Sequence, residues 1–333
     1  MRGSADDLTD LLDDSEFSGA VRVDVGGETI LAEARGDADR AVKVPNTIDT
    51  RFGIASGTKS FTALAVVSLI VDGVLAPDTR ARDLLGRDLP EVDDAVTIEH
   101  LLTHRSGIGD YLDEDAMESM HDYILPVPGH RLDSAEAYLQ ILDPPGERFA
   151  YNNGGYVVLA ILAERAAGQS YAELIRTRVT DPAGMSATSF VRADERPGDV
   201  AVGYLDATGL RTNVLHMPLV GVGDGGLFCT VADIHRLWAA FFDGRIVPAD
   251  WITRMTTPAG ETPPDEWRYG LGFWLGASGS AVLLEGHDAG ISFRSSRDPV
   301  ADVTWTVASN TTDGAWPVTK RLRELFPPSV VGG

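Results

Sequence analysis

Hydrophobic and polar positions follow two rhythms along the chain. Over Ala5–Leu12 the pattern predicts a short acidic helix. The runs Gly19–Val25 and Thr29–Arg35 then read as strands joined by a turn at Gly26-Gly27. After Ser56, apolar Phe61, Leu64, Ala65, Leu69 and Ile70 recur at helical spacing, with Gly73 as the stop. From about Pro77 to Gly203 the rhythm is mostly helical, over Ile98–Leu102, Ser134–Leu142, Gly155–Ala167 and Tyr171–Val179. Loops of Gly, Pro and Asp separate these segments. A further helix begins after Thr230, where Asp233 supplies a variant of the capping box. The last stretch turns strand-like: Tyr269–Leu275, Ala281–Glu285, Ile291–Ser295 and Val303–Ser309, before an amphipathic helix at Val318–Phe326.

Strands at both ends with helices between them predict an α+β fold. An antiparallel sheet built from N- and C-terminal strands is expected, flanked by helices, with a mainly helical subdomain inserted. The expected division is 1–76 with 204–333 as the sheet domain and 77–203 as the helical subdomain. A groove between them is the natural place for an active site.

Composition narrows the function. The 333 residues are 44% hydrophobic and 23% charged, the balance of a folded globular protein. A net charge of −22 argues against nucleic-acid or anionic-membrane partners, both of which reward positive charge. Lysine is confined to Lys43, Lys59 and Lys320, and so acidic a surface suits a salt-adapted protein. No apolar run reaches the ~18 residues of a membrane span, and the start lacks a signal-peptide profile. A lone cysteine, Cys229, precludes an intrachain disulfide, so a cytoplasmic setting is expected.

Three segments carry candidate chemistry. In Ser56-Gly57-Thr58-Lys59 the serine opens a helix, and the lysine three residues on shares its face, placing amine and hydroxyl within hydrogen-bond reach. A serine hydroxyl needs such a proton acceptor to become a nucleophile. Taken alone, the spacing fits a serine cap with a lysine on the first turn better than it fits a catalytic pair. Tyr151-Asn152-Asn153 puts a phenol and two carboxamides on a loop before a helix, and Gly286-His287-Asp288-Ala289-Gly290 lies at a strand end.

In this order the segments resemble the serine β-lactamase and penicillin-binding-protein family, in the branch of class C β-lactamases, D-aminopeptidases and family VIII esterases. Leu101-Leu102-Thr103-His104-Arg105-Ser106-Gly107, Asp181-Pro182-Ala183-Gly184-Met185 and Tyr269-Gly270-Leu271-Gly272-Phe273 are also similar to family segments. The resemblance implies acyl transfer through a serine ester, without metal or cofactor. Ser56 would be the nucleophile, Lys59 its activating partner and Tyr151 the general base and later acid. Which of Lys59 and Tyr151 takes the first proton stays open. Asn153, His287 and Ala289 would contact substrate, and the main-chain N–H groups of Ser56 and Gly290 would form the oxyanion hole. The implied substrate is a small ester, amide or peptide.

Two departures from the family pattern bear on substrate. His287 stands where many relatives carry lysine, weakening the fixed charge that recruits a carboxylate. Ala289 replaces the usual glycine and adds a methyl along the strand. Both shift weight toward an esterase or D-amino-acid amidase and away from the alternatives, a β-lactamase or D,D-carboxypeptidase. A non-hydrolysing sensor or binding module is the alternative of another class. Other motifs fail on context. Gly221-Val222-Gly223-Asp224-Gly225-Gly226 lacks the βαβ unit of a dinucleotide site, and His100 and His104 lack the glutamate of a zinc protease. Asp110–Arg131, acidic and rich in Met, His and Tyr, is expected to border the groove.

Overall fold

The computed structural model describes residues 2–14, 16–110, 144–261, 267–276 and 279–329. Ser134–Leu142 and residues 111–131 of the expected groove border lie outside them. The fold is α+β. Helix α1 (Arg2–Asp14) precedes a hairpin of β1 (Gly19–Val25) and β2 (Glu28–Arg35), and a short pair, β3 (Asp37–Asp39) and β4 (Val44–Pro45), follows. Next come β5 (Phe52–Gly53), a single 3-10 turn at Ala55–Gly57 and α2 (Thr58–Val71). Helices α3 (Ala81–Leu85), α4 (Ile98–Leu102), α5 (Asn153–Ala167), α6 (Tyr171–Ile175) and α7 (Asp181–Ala183) occupy the middle of the chain, with a π-helical turn at Arg176–Thr180. Strands β6 (Ser189–Phe190) and β7 (Leu227–Cys229) lead to α8 (Val231–Phe242) and α9 (Ala249–Met255). The chain ends with β8 (Trp267–Tyr269), β9 (Trp274–Gly276), β10 (Val282–Asp288), β11 (Ile291–Asp298), β12 (Val303–Ser309) and α10 (Ala315–Leu325).

The main sheet runs β2-β1-β12-β11-β10-β9-β8, antiparallel throughout. The first strand pairs with the last, Gly19 opposite Ser309 and Val25 opposite Val303. Alternation along these strands sends side chains to opposite faces. Val21, Val23, Trp305 and Val307 pack with Leu8 and Leu12 of α1 and with Val318 and Leu322 of α10. Ala20, Ala308 and Phe293 face the other way, into a core shared with α2, α5 and α8. There Trp238 Nε1 of α8 donates to Ser295 Oγ at 2.8 Å. The cap expected at Thr230 forms, its hydroxyl accepting the Asp233 N–H at 3.1 Å.

The run Tyr269–Leu275, expected as one strand, is two. Gly270 N–H donates to Phe273 O at 2.9 Å and Gly272 takes φ +84°, so the chain doubles back between β8 and β9. A second small sheet, β5-β7-β6, delivers the chain to the Ala55–Gly57 turn.

Candidate active site

Ser56 sits where a strained backbone enters a helix. Ile54 leaves β5 with its N–H on Leu227 O at 3.1 Å, and Ala55 then takes φ +42°, sparsely populated for a residue with a side chain. A Cβ on Gly57 would stand 2.9 Å from Phe293 Cε1, so this turn lies flush on β11. On the β10 side, a Cβ on Gly286 would collide with Ile54 O and stand 2.9 Å from Ser56 N. Only glycine there lets β10 approach the nucleophile's backbone so closely.

Helix α2 is apolar on nearly every side, with Thr58 through Leu69 buried, which carries Lys59 into the interior at 2% exposure. A buried ammonium needs an acceptor for each of its three protons. Lys59 Nζ has three: Ser56 Oγ at 2.9 Å, Asn153 Oδ1 at 2.7 Å and the main-chain oxygen of Asp224 at 3.1 Å.

Asn153 is in turn oriented. Its Nδ2 donates to Asp110 Oδ2 at 3.0 Å and its main-chain N–H to the same oxygen at 2.9 Å, while Gly154 N–H reaches Asp110 Oδ1 at 3.3 Å. One carboxylate thus sits on the N-terminus of α5 and fixes which end of the carboxamide faces Lys59. Asp110→Asn puts an NH₂ group among these donors and favours the flipped Asn153 amide. We expect kcat to fall about a hundredfold with little change in KM, as for a small misplacement of a reacting group. Steady-state ester kinetics would check this.

Tyr151 is held from behind by His104. Ala150 N–H donates to His104 O at 2.8 Å and Asn152 N–H to His104 Nδ1 at 3.1 Å, so both neighbours of the tyrosine are tied to one residue. The φ of +55° at His104 turns ring and carbonyl toward the same segment. The Tyr151 ring lies 4.5 Å from the His104 ring and stacks on Trp274 at 5.7 Å, and Lys59 Nζ stands 4.9 Å from its centroid. Nearby Tyr156 and Tyr269 are phenols whose pKa values burial raises further.

His104 accepts at Nδ1, so its proton is on Nε2 and the ring is neutral. Burial, and secondarily the charge of Lys59, hold its pKa well below the usual value. His235, buried against Asp24 Oδ2 at 2.7 Å, is also lowered, chiefly by burial. Unfolding lets both rings protonate below about pH 6.5, whereas burial opposes their protonation in the folded chain. Stability is therefore complete above that pH and falls below it, by up to about 1.4 kcal/mol per pH unit for each ring. Urea midpoints measured from pH 7 down to 5 would show the slope, and His104→Gln should reduce it.

The third segment differs from expectation in two places. Gly290 N–H, expected in the oxyanion hole, donates to Thr312 Oγ1 at 3.0 Å, and its Cα packs on Gly203 and Tyr204. Ala289, expected along the substrate, is fully buried in the β10–β11 turn, its oxygen accepting from Asn213 Nδ2 at 2.9 Å. The physical reason is the hairpin. Ala289-Gly290 form its two-residue turn, so Asp288 and Ile291 are the bonded pair nearest it, and His287 opposite Ser292 is the unbonded pair that follows. Strand β9 covers only Val282 and Leu283 of β10. The His287 N–H therefore projects from an edge of β10 that no described strand covers, one residue beyond the glycine that touches Ser56. The His287 side chain lies at the rim, Nε2 3.4 Å from Asp313 Oδ1 and ring edge-on to Trp316 at 5.3 Å.

Ser56, Lys59, Tyr151 and Asn153 are thus gathered, and His287 stands at the border. The motif analysis included Asp110, His104, Gly286 and Asp224 in its segments but gave none of them the role seen here. The glycine run Gly221–Gly226 held a signal: a Cβ on Gly223 would collide with Tyr156 O, the mark of a loop pressed onto α5. Among the described residues, no group of three or more His, Cys, Asp or Glu could hold a metal ion.

A buried lysine hydrogen-bonded to a serine, a tyrosine ring facing that lysine and the β10 strand edge beside them meet on an α+β scaffold. The chain belongs to the Beta-lactamase family, whose model matches residues 5–326. It is 29% identical over 301 residues to Penicillin-binding protein 4* of Bacillus subtilis, covering 83% of this chain and 63% of that one. Esterase EstB of Burkholderia gladioli is 36% identical over 195 residues, 54% of this chain and 48% of the other. The chain thus spans less than two thirds of either relative's length. The crystal structure of a penicillin binding protein from Bacillus halodurans superposes with a TM-score of 0.89 at 33% identity, covering 96% of this chain and all of the other. No described helix is long and apolar enough to cross a membrane.

Proposed function

We propose that this chain is a serine hydrolase that cleaves small esters or amides through an acyl-Ser56 intermediate. The observation that carries the reading is the 2.9 Å hydrogen bond between Lys59 Nζ and Ser56 Oγ, in a site where the amine's other acceptors are fixed. With one proton removed, the amine keeps two N–H groups for Asn153 Oδ1 and Asp224 O and turns its lone pair to Ser56. Oγ then attacks the substrate carbonyl as its proton passes to the amine. Negative charge on the carbonyl oxygen is met by the Ser56 and His287 N–H groups, the second replacing Gly290 in that role. Tyr151 gives its phenolic proton to the departing alcohol or amine and takes back the one held by Lys59; water then adds to the acyl carbon, losing a proton to the freed base, and the acid leaves as Ser56 Oγ regains its proton. That relatives carry the names esterase and penicillin-binding protein supports the reaction class.

A fluorophosphonate probe should label Ser56, located by peptide mapping, and p-nitrophenyl butyrate should be turned over. Labelling elsewhere, or a stable adduct without ester turnover, defeats the reading; the second outcome favours a slow-acylating binding protein. The His287–Asp313 contact disfavours a β-lactamase, since a carboxylate already stands where the substrate's own carboxylate would have to be received. Nitrocefin turnover below one thousandth of ester turnover is the expected result.

A further inference from the structure

The turn between β8 and β9 is anchored to the helix that carries Lys59. Ser60 Oγ, one residue past the lysine, donates to Gly272 O at 2.5 Å, and a Cβ on Gly272 would collide with Ala63 Cβ. The turn therefore lies flush on α2. It sets Tyr269 opposite Trp274 across the hairpin, with ring centroids 4.9 Å apart and planes at 85°. Tyr269 is buried, its hydroxyl 3.3 Å from that of Tyr156, which donates to Leu102 O at 3.0 Å. Phe149 adds a second edge contact to Trp274 at 6.3 Å, and Leu283 of β10 pairs with Trp274 along the sheet. The half-buried indole is thus fixed from α2, α5 and β10 together.

What the indole presents to Tyr151 is a flat face, with 5.7 Å between centroids and planes 19° apart. The Tyr151 hydroxyl makes no hydrogen bond among the described residues, so no polar contact fixes where the phenol points. The main chain on either side is tied to His104, and the ring itself is placed by packing on His104, on Trp274 and beside Lys59 Nζ. Of these, Trp274 is the contact that comes from the sheet. Because its turn rests on α2, it registers the tyrosine segment against the helix that bears the lysine.

We propose that Trp274 is a positioning residue for the proton that Tyr151 gives to the leaving group. The indole acts through the phenol, holding its ring at a set distance from α2 and hence from Lys59. The proposal rests on the serine-hydrolase reading. As the C–O bond of an alkyl ester breaks, the departing alkoxide takes the proton of Tyr151 Oη, and that oxygen regains one from the Lys59 ammonium. A p-nitrophenolate leaves as a stable anion and needs no such proton. A displaced phenol therefore penalises alkyl esters and spares p-nitrophenyl esters, whereas a general loosening of the fold slows both alike.

Wild type, Trp274→Leu and Trp274→Phe would be assayed with methyl butyrate and p-nitrophenyl butyrate, and the rate of Ser56 labelling by a fluorophosphonate timed in each. In Trp274→Leu, kcat/KM for methyl butyrate should fall about a hundredfold, the cost of a small misplacement of a reacting group. For p-nitrophenyl butyrate the fall should stay under about fivefold, and labelling, which expels fluoride, within about twofold of wild type. These two readouts also show that the variant is folded. Trp274→Phe keeps a flat face for Tyr151 and should bring methyl butyrate back to within about tenfold of wild type. Equal losses on the two esters, no loss on methyl butyrate, or a phenylalanine variant no better than leucine overturns the proposal. Failure of the wild type to be labelled at Ser56 instead removes the serine-hydrolase reading, and the proposal with it.

Discussion

Ser56→Ala is expected to lower ester hydrolysis by about 10⁴-fold or more, and adding Lys59→Met should cost almost nothing further. The two groups act as a unit: the amine is useful only for the proton it takes from Oγ, and the hydroxyl is a weak nucleophile without it. Lys59→Met alone should lose about 10³–10⁴-fold, the upper range for general-base catalysis. Methionine matches the buried stem but leaves Asn153 Oδ1 and Asp224 O without their donor, so some stability will be lost as well. The readouts are kcat/KM for a p-nitrophenyl ester in both single variants and the double, with chemical denaturation alongside. Multiplying losses, or a Ser56→Ala variant within tenfold of wild type, would show that this pair is not the reacting unit.

Gly286→Ala should be nearly as damaging, although it alters no titratable group. Its methyl would occupy the place of Ile54 O and crowd Ser56 N. Both neighbours are backbone, so the strain is relieved only by lifting β10 from the Ala55–Gly57 turn. That separates the Ser56 and His287 N–H groups from the position of the developing oxyanion. A loss of about 10²–10³ in kcat is expected from the donors, with about 1–3 kcal/mol of stability from overpacking. Gly198→Ala is the control: an added Cβ there meets nothing within 4 Å, and both quantities should hold near wild type. Unimpaired turnover in Gly286→Ala would remove the strand edge from the catalytic account.

The sequence made much of this fold legible because its strongest signals are periodic. Strands β1 and β12 and helix α2 announce themselves through alternation of two or recurrence near 3.6, and their burial follows. The break in Tyr269–Leu275 was hidden, since its apolar rhythm is continuous and the turn depends on Gly270 fitting against Met255 O. Ser56 and Lys59 were readable because their contact is local. The acceptors that complete the lysine's shell come from Asn153 and Asp224, 94 and 165 positions away, and no local pattern reports them. Asp110 and His104 were veiled for the same reason: their partners are backbone groups, and for Asp110 also the Asn153 carboxamide, of a segment more than forty positions away. Gly290 was expected as an oxyanion donor from the motif read as a string, whereas its N–H is taken up by Thr312 Oγ1. Hairpin register decides which N–H leaves the strand edge, and register is set by pairing across to β11.

The pairing of Gly19–Val25 with Val303–Ser309 also has a temporal consequence. During synthesis the first hairpin leaves the ribosome with one side unmatched, and its neighbour arrives only after residues 26–302 have been made. Contacts of such wide separation slow folding and leave a bare β-edge open to mispairing meanwhile. A chain stopped short of Val303 would contain every residue assigned here to catalysis, yet lack the strand that joins the two ends of its scaffold.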